Sequence, residues 1–130
     1  MSNKVEYWLD ICDEDILAVK CLLKGKRLLH AGFFCHLIAE KALKAIIAHN
    51  TGETPPKIHD LKKLAKFGNI ADDLSEEQRL LLGRLMPLHI EARYVSHKKR
   101  VADTLTVEYC EKIFKETEEF LSWIKKKLGK

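Results

Sequence analysis

Apolar residues recur at three- and four-residue steps along most of the chain, and no stretch sustains an apolar–polar alternation, so helices and essentially no sheet are predicted. Over about residues 4–24, Val5, Trp8, Leu9, Cys12, Ile16, Val19 and Leu23 form one stripe, with Asp10, Asp13, Glu14 and Asp15 largely on other faces. Gly25-Lys26 interrupts that helix. A second run, Arg27 to about His49, is apolar nearly all round and should be the most buried helix; its small residues Ala31, Gly32, Ala39, Ala42 and Ala45 allow close helix approach. Asn50-Thr51-Gly52 is a stop signal, and Pro55-Pro56 enforces an extended connection, because proline disfavours helical backbone in the residue before it. A short helix is predicted from His59 or Asp60 to Phe67, closed by Gly68-Asn69. Ser75-Glu76-Glu77-Gln78 reads as a capping box opening a fourth helix, which Pro87 should kink or end near Leu85-Met86. Thr106 to Leu128 carries the last amphipathic stripe. The expected fold is all-α: an up-and-down four-helix bundle with an additional short helix.

At 130 residues, 46% of them hydrophobic, the chain is expected to form one domain over 1–130 with its own core. No apolar run approaches the roughly 20 residues that span a bilayer. The first residues lack the apolar stretch of a signal peptide, so a cytoplasmic setting is expected. Cys12, Cys21, Cys35 and Cys110 show no C-x-x-C pair and no zinc-ribbon spacing; all four read as reduced packing residues, and neither metal nor cofactor is expected. The net charge of +4 is mild, but its cations cluster. Lysines 125–127 and 130 suit a helix C-terminus, whereas Arg93, His97, Lys98, Lys99 and Arg100 lie in a segment between helices, where the dipole explains less.

Three stretches carry a further signal: Phe33-Phe34-Cys35-His36-Leu37-Ile38-Ala39-Glu40-Lys41-Ala42-Leu43-Lys44-Ala45, Pro55-Pro56-Lys57-Ile58-His59-Asp60-Leu61, and Leu85-Met86-Pro87-Leu88-His89-Ile90-Glu91-Ala92-Arg93-Tyr94. In order and spacing they resemble the HEPN family of helical bundles. The resemblance implies either a metal-independent ribonuclease, often a toxin, or a non-catalytic partner of a small nucleotidyltransferase in a toxin–antitoxin-like pair. Dimers are common in the family, so a homodimer is expected. Its catalytic members carry an Arg, four to six residues, then a His. Here Arg93 and His97 are one residue too close, and between Arg84 and His89 lies an apolar tract containing Pro87. The expectation is therefore a nucleotide- or RNA-binding or nucleotidyltransferase-partner module, the alternatives being a ribonuclease using an Arg/His pair and a purely structural interaction protein.

Candidate catalytic residues are Arg93 and His97, with Arg84 and His89 weaker; a guanidinium can stabilise phosphate charge and an imidazole can carry a proton near neutral pH. Candidate phosphate- or nucleotide-binding residues are Arg93, Tyr94, Lys57, His59 and Lys41. Lys57 and His59 are included because a helix N-terminus follows them. Glu40 and Lys44 read as an i,i+4 ion pair on a solvated face. His30, His36 and His49 read as packing or surface residues, and Trp8 and Trp123 as candidate exposed aromatics for a dimer contact.

Overall fold

A computed structural model of the chain describes the backbone of residues 3–91 and 105–130 and the side chains of residues 4–89 and 105–130. The described residues form helices and no strand: α1 (Asn3–Lys24), α2 (Leu28–Thr51), α3 (Leu61–Phe67), a 3-10 turn (Ala71–Asp73), α4 (Glu76–Glu91) and α5 (Val107–Lys127). No described helix is long and apolar enough to cross a membrane. α2 is the central element. Fourteen of its residues are buried, among them every one from Ile38 to Ala48 except Lys41, and α1, α3, α4 and α5 all pack against it.

The ends of the helices are set by local chemistry. Gly52, at φ +72, supplies the left-handed residue that closes α2. Asp60 caps α3 by accepting from the amides of Lys62 and Lys63, and Thr106 caps α5 through the amide of Tyr109. The capping box forms as predicted: Ser75 Oγ accepts from the Gln78 amide at 3.1 Å, and Gln78 Oε1 accepts from the Ser75 amide at 2.8 Å. At the end of α3 it is Asn69, at φ +60, rather than Gly68 that turns left-handed.

Cross-helix contacts give the chain direction. Lys125 pairs with Asp13 and Lys130 with Glu6, so α5 runs antiparallel to α1. Gly32 of α2 approaches Leu88 of α4 so closely that a Cβ on it would sit 3.1 Å from the leucine Cδ1. The core is contiguous from Val5 and Leu9 through Ile38, Leu43 and Ile46 to Leu82, Leu85, Phe120 and Ile124.

Four expectations need correction. Pro87 does not end its helix: α4 continues to Glu91. The carbonyl that loses its donor is that of Gly83, and Gly83 and Pro87 both face solvent, where water can take the donor's place. Glu40 and Lys44 are not on a solvated face, being 0% and 5% exposed. Cys21 is exposed rather than packed. Trp8 and Trp123 are half-buried against the core, Trp123 tilted on Phe120.

Candidate functional site

The buried carboxylate of Glu40 organises the middle of α2. In an apolar interior an ionised carboxylate persists only when paired and hydrogen-bonded. Its two oxygens divide that work. Oε2 accepts from Lys41 Nζ at 3.1 Å and Lys44 Nζ at 3.2 Å, while Oε1 faces His59 Nδ1 at 3.0 Å and His36 Nδ1 at 3.6 Å. Trp8 of α1 covers both ammonium groups, which stand 5.5 and 5.6 Å from its ring centroid. Burial pushes the Glu40 carboxyl up, but the His59 hydrogen bond and the Lys41 and Lys44 charges outweigh it, leaving the group below the usual carboxylate range.

His36 lies one turn before Glu40 on the same face of α2. It is 1% exposed, and neither of its ring nitrogens has a hydrogen-bond partner. Burial drives its pKa down to about 4; the Glu40 carboxylate offsets part of that and the nearby His89 adds to it. The His59 main chain passes close enough to raise the value slightly, without reaching hydrogen-bond geometry. His36 is therefore a neutral imidazole at pH 7. His89 arrives from α4 and lies against His36 and His59, with ring centroids 4.6 and 4.5 Å apart. Its own burial is nearly complete, at 8% exposed. The Leu61 amide donates to Met86 Sδ at 3.4 Å, tying α4 to the start of α3. His36, His59, Asp60, Met86 and His89 together line a hollow of about 200 Å³.

Beside this cluster runs a cationic face. α3 exposes Lys62, Lys63 and Lys66 within two turns, and Phe67, 53% exposed, stands next to them. Lys62, Lys66 and Arg79 rim a second hollow of about 210 Å³ with Ala65, Leu74 and Leu82 among its apolar walls. Two nearby acids are already engaged: Asp60 in capping α3, and Asp73 with Lys127 at 3.0 Å.

The sequence candidates divide accordingly. His59, Lys41 and His89 converge on the Glu40 cluster. Lys57 is exposed, and the amides of the following helix are occupied by the Asp60 carboxylate, so the expected anion site at that helix start is taken by the chain itself. Arg84 points elsewhere: it approaches Glu116 of α5 at 4.0 Å, while His89 turns toward α2 and α3, so these two are not brought together within the chain. Arg93, Tyr94 and His97 lie outside the described residues. His36, Lys62, Lys66, Phe67 and Arg79 were not singled out by the sequence as functional.

The HEPN domain family profile matches residues 5–128. The chain belongs to the HEPN domain family. Comparison with curated proteins and with solved structures returns no match. The match runs from Val5 of α1 to the end of α5, and so takes in both the Glu40 cluster and the α3 face.

Proposed function

We propose that this HEPN protein is a nucleotide- or RNA-binding module whose contact surface is the exposed face of α3. The observation that carries the reading is an exposed phenylalanine, Phe67, among Lys62, Lys63 and Lys66, with Arg79 across an apolar-walled hollow. Cations that track a phosphate backbone, beside an aromatic ring on which a base stacks, are the two elements sequence-tolerant single-strand recognition requires. In a two-component arrangement this face would present nucleic acid or nucleotide to a small nucleotidyltransferase. Arg84 is held near Glu116, away from His89, so that pair does not support ribonuclease chemistry within one chain.

Fluorescence anisotropy with a short single-stranded RNA, titrated at several salt concentrations, tests the proposal. Each phosphate neutralised on a single strand contributes about 0.7 to the slope of log affinity against log salt, so the three cations rimming the hollow, Lys62, Lys66 and Arg79, predict a slope near −2. Lys62→Ala, Lys66→Ala and Arg79→Ala should each flatten that slope by about 0.7. Phe67→Ala should weaken binding by roughly 1–3 kcal/mol while leaving the slope intact. Binding that is absent, or indifferent to all four substitutions, removes the reading.

A further inference from the structure

We propose that His36, Glu40 and His89 form a binding site for a divalent transition-metal ion, Zn2+ being the ion whose ligand preferences it fits. Each residue offers a ligand atom, one carboxylate oxygen and two imidazole nitrogens, and these atoms all lie within 4.8 Å of one another among buried side chains. His36 carries the argument. A buried imidazole with neither nitrogen satisfied is unfavourable in any fold, and its neighbours supply no hydrogen-bond partner to relieve it. A metal ion would use that lone pair.

The spacing supports the same assignment. In a tetrahedral site with bonds of about 2.0–2.1 Å, neighbouring ligand atoms stand roughly 3.3–3.4 Å apart. Glu40 Oε1 lies 3.6 Å from His36 Nδ1, close to that distance, and the ligand atoms of all three residues lie within 4.8 Å of one another. Two imidazoles and one carboxylate make a borderline ligand set of the kind used by zinc sites that keep a fourth position open. His36 and His89 also line the hollow shared with His59, Asp60 and Met86, which leaves room for an exogenous fourth ligand. Lys41 and Lys44 hold Oε2, so Oε1 is the oxygen turned to the imidazoles, and these lysines orient the ligand from outside the coordination sphere. Their positive charge weakens cation binding, which sets the expectation at moderate affinity. The site is independent of the α3 surface proposed for RNA.

The test is a titration of the EDTA-stripped full chain with Zn2+ alone, followed by chelator competition, and with Co2+ as a spectroscopic probe. The background carries Cys21→Ser, because Cys21 is an exposed thiol that can take zinc on its own. One equivalent should bind with a Kd at or below about 10 µM. The Co2+ form should show visible bands of four- or five-coordinate nitrogen/oxygen ligation and no thiolate charge-transfer band. His36→Leu removes a ligand and an unsatisfied buried group together, so the variant should fold while losing on the order of 100-fold in affinity. His89→Gln provides a second fold-retaining variant with the same expectation. Absence of one-equivalent binding in the folded parent overturns the proposal, as does unchanged affinity in both variants or a cobalt spectrum dominated by sulfur.

Discussion

Replacing Glu40 should be among the most destabilising single changes in the molecule, and the structure says by how much. The carboxylate is 0% exposed and is the shared counter-charge of Lys44, itself 5% exposed, and of Lys41. Glu40→Gln keeps the volume but leaves Lys44 Nζ buried beside a neutral amide. Removing one member of a buried ion pair costs roughly 3–5 kcal/mol, chiefly the desolvation of the charge left behind. Glu40→Ala adds the loss of one buried methylene at about 0.8 kcal/mol. Against a total stability of about 5–15 kcal/mol, the expected losses are about 3 kcal/mol for Gln and about 4 kcal/mol for Ala. Urea unfolding followed by Trp fluorescence and far-ultraviolet circular dichroism measures both, with EDTA present throughout. The second arm is Glu40→Gln combined with Lys44→Met. If the stranded ammonium is the cause, the double variant should recover at least half of the loss, because an apolar isostere in place of a buried pair is often close to neutral. A Glu40→Gln loss below about 0.5 kcal/mol, or additive single effects in the cycle, would refute the account of Glu40 as the organising charge.

Acid should act on the same cluster. His36 has its folded pKa lowered from 6.5 to about 4, so between those values the unfolded chain takes up a proton that the folded chain refuses; unfolding free energy should fall by about 3 kcal/mol as pH drops through that window. The depressed Glu40 carboxyl adds a loss in the same direction below its ordinary 4.5, and His36→Leu in EDTA should flatten the profile between pH 6.5 and 5, a flattening whose absence would show the histidine was not responsible. Thiol titration at pH 8 should find one fast equivalent, Cys21, because burial pushes Cys12 and Cys35 up to about 12 and Cys110 up to about 11; three or more fast equivalents would contradict the packing. Gly32→Val should cost about 1–3 kcal/mol in urea midpoint experiments, since its side chain would be driven into Leu88, whereas a neutral effect would mean that α2 and α4 are less tightly apposed than described.

How much of this was legible in the sequence depends on how far apart the interacting residues lie. The capping box Ser75–Gln78, the Asp60 cap and the Gly52 stop are local chemistry within three or four residues, and each appears where the pattern placed it. The expectation that Pro87 could end its helix failed because a proline's cost depends on where its orphaned carbonyl points, which the sequence does not state. His59 lies 19 residues from Glu40, and His89 comes from another helix again, so only the packing of α3 and α4 on α2 brings them to one point.

Glu40 itself is the instructive case, because a signal for its burial was present. An i,i+4 Glu–Lys pair ordinarily lies on a solvated face, and that frequency suggested the wrong environment. But a solvated face needs room on the helix, and from Ile38 to Ala48 the other residues are Ile, Leu and Ala apart from Lys41. With apolar side chains all round, no stripe of α2 is free to point at water, so Glu40 and Lys44 are carried into the interior with the rest of the turn. Such a charge can be kept only if other elements arrive to satisfy it. Lys41 and Lys44 meet one oxygen from within the helix, which leaves the other to be met from outside, and His59 of the segment before α3 meets it. A charged pair inside an all-apolar helix is thus a sequence-level sign that partners must converge there. His36, four residues earlier on the same face, falls within reach of that charge by helical spacing alone, and the same sign extends to it.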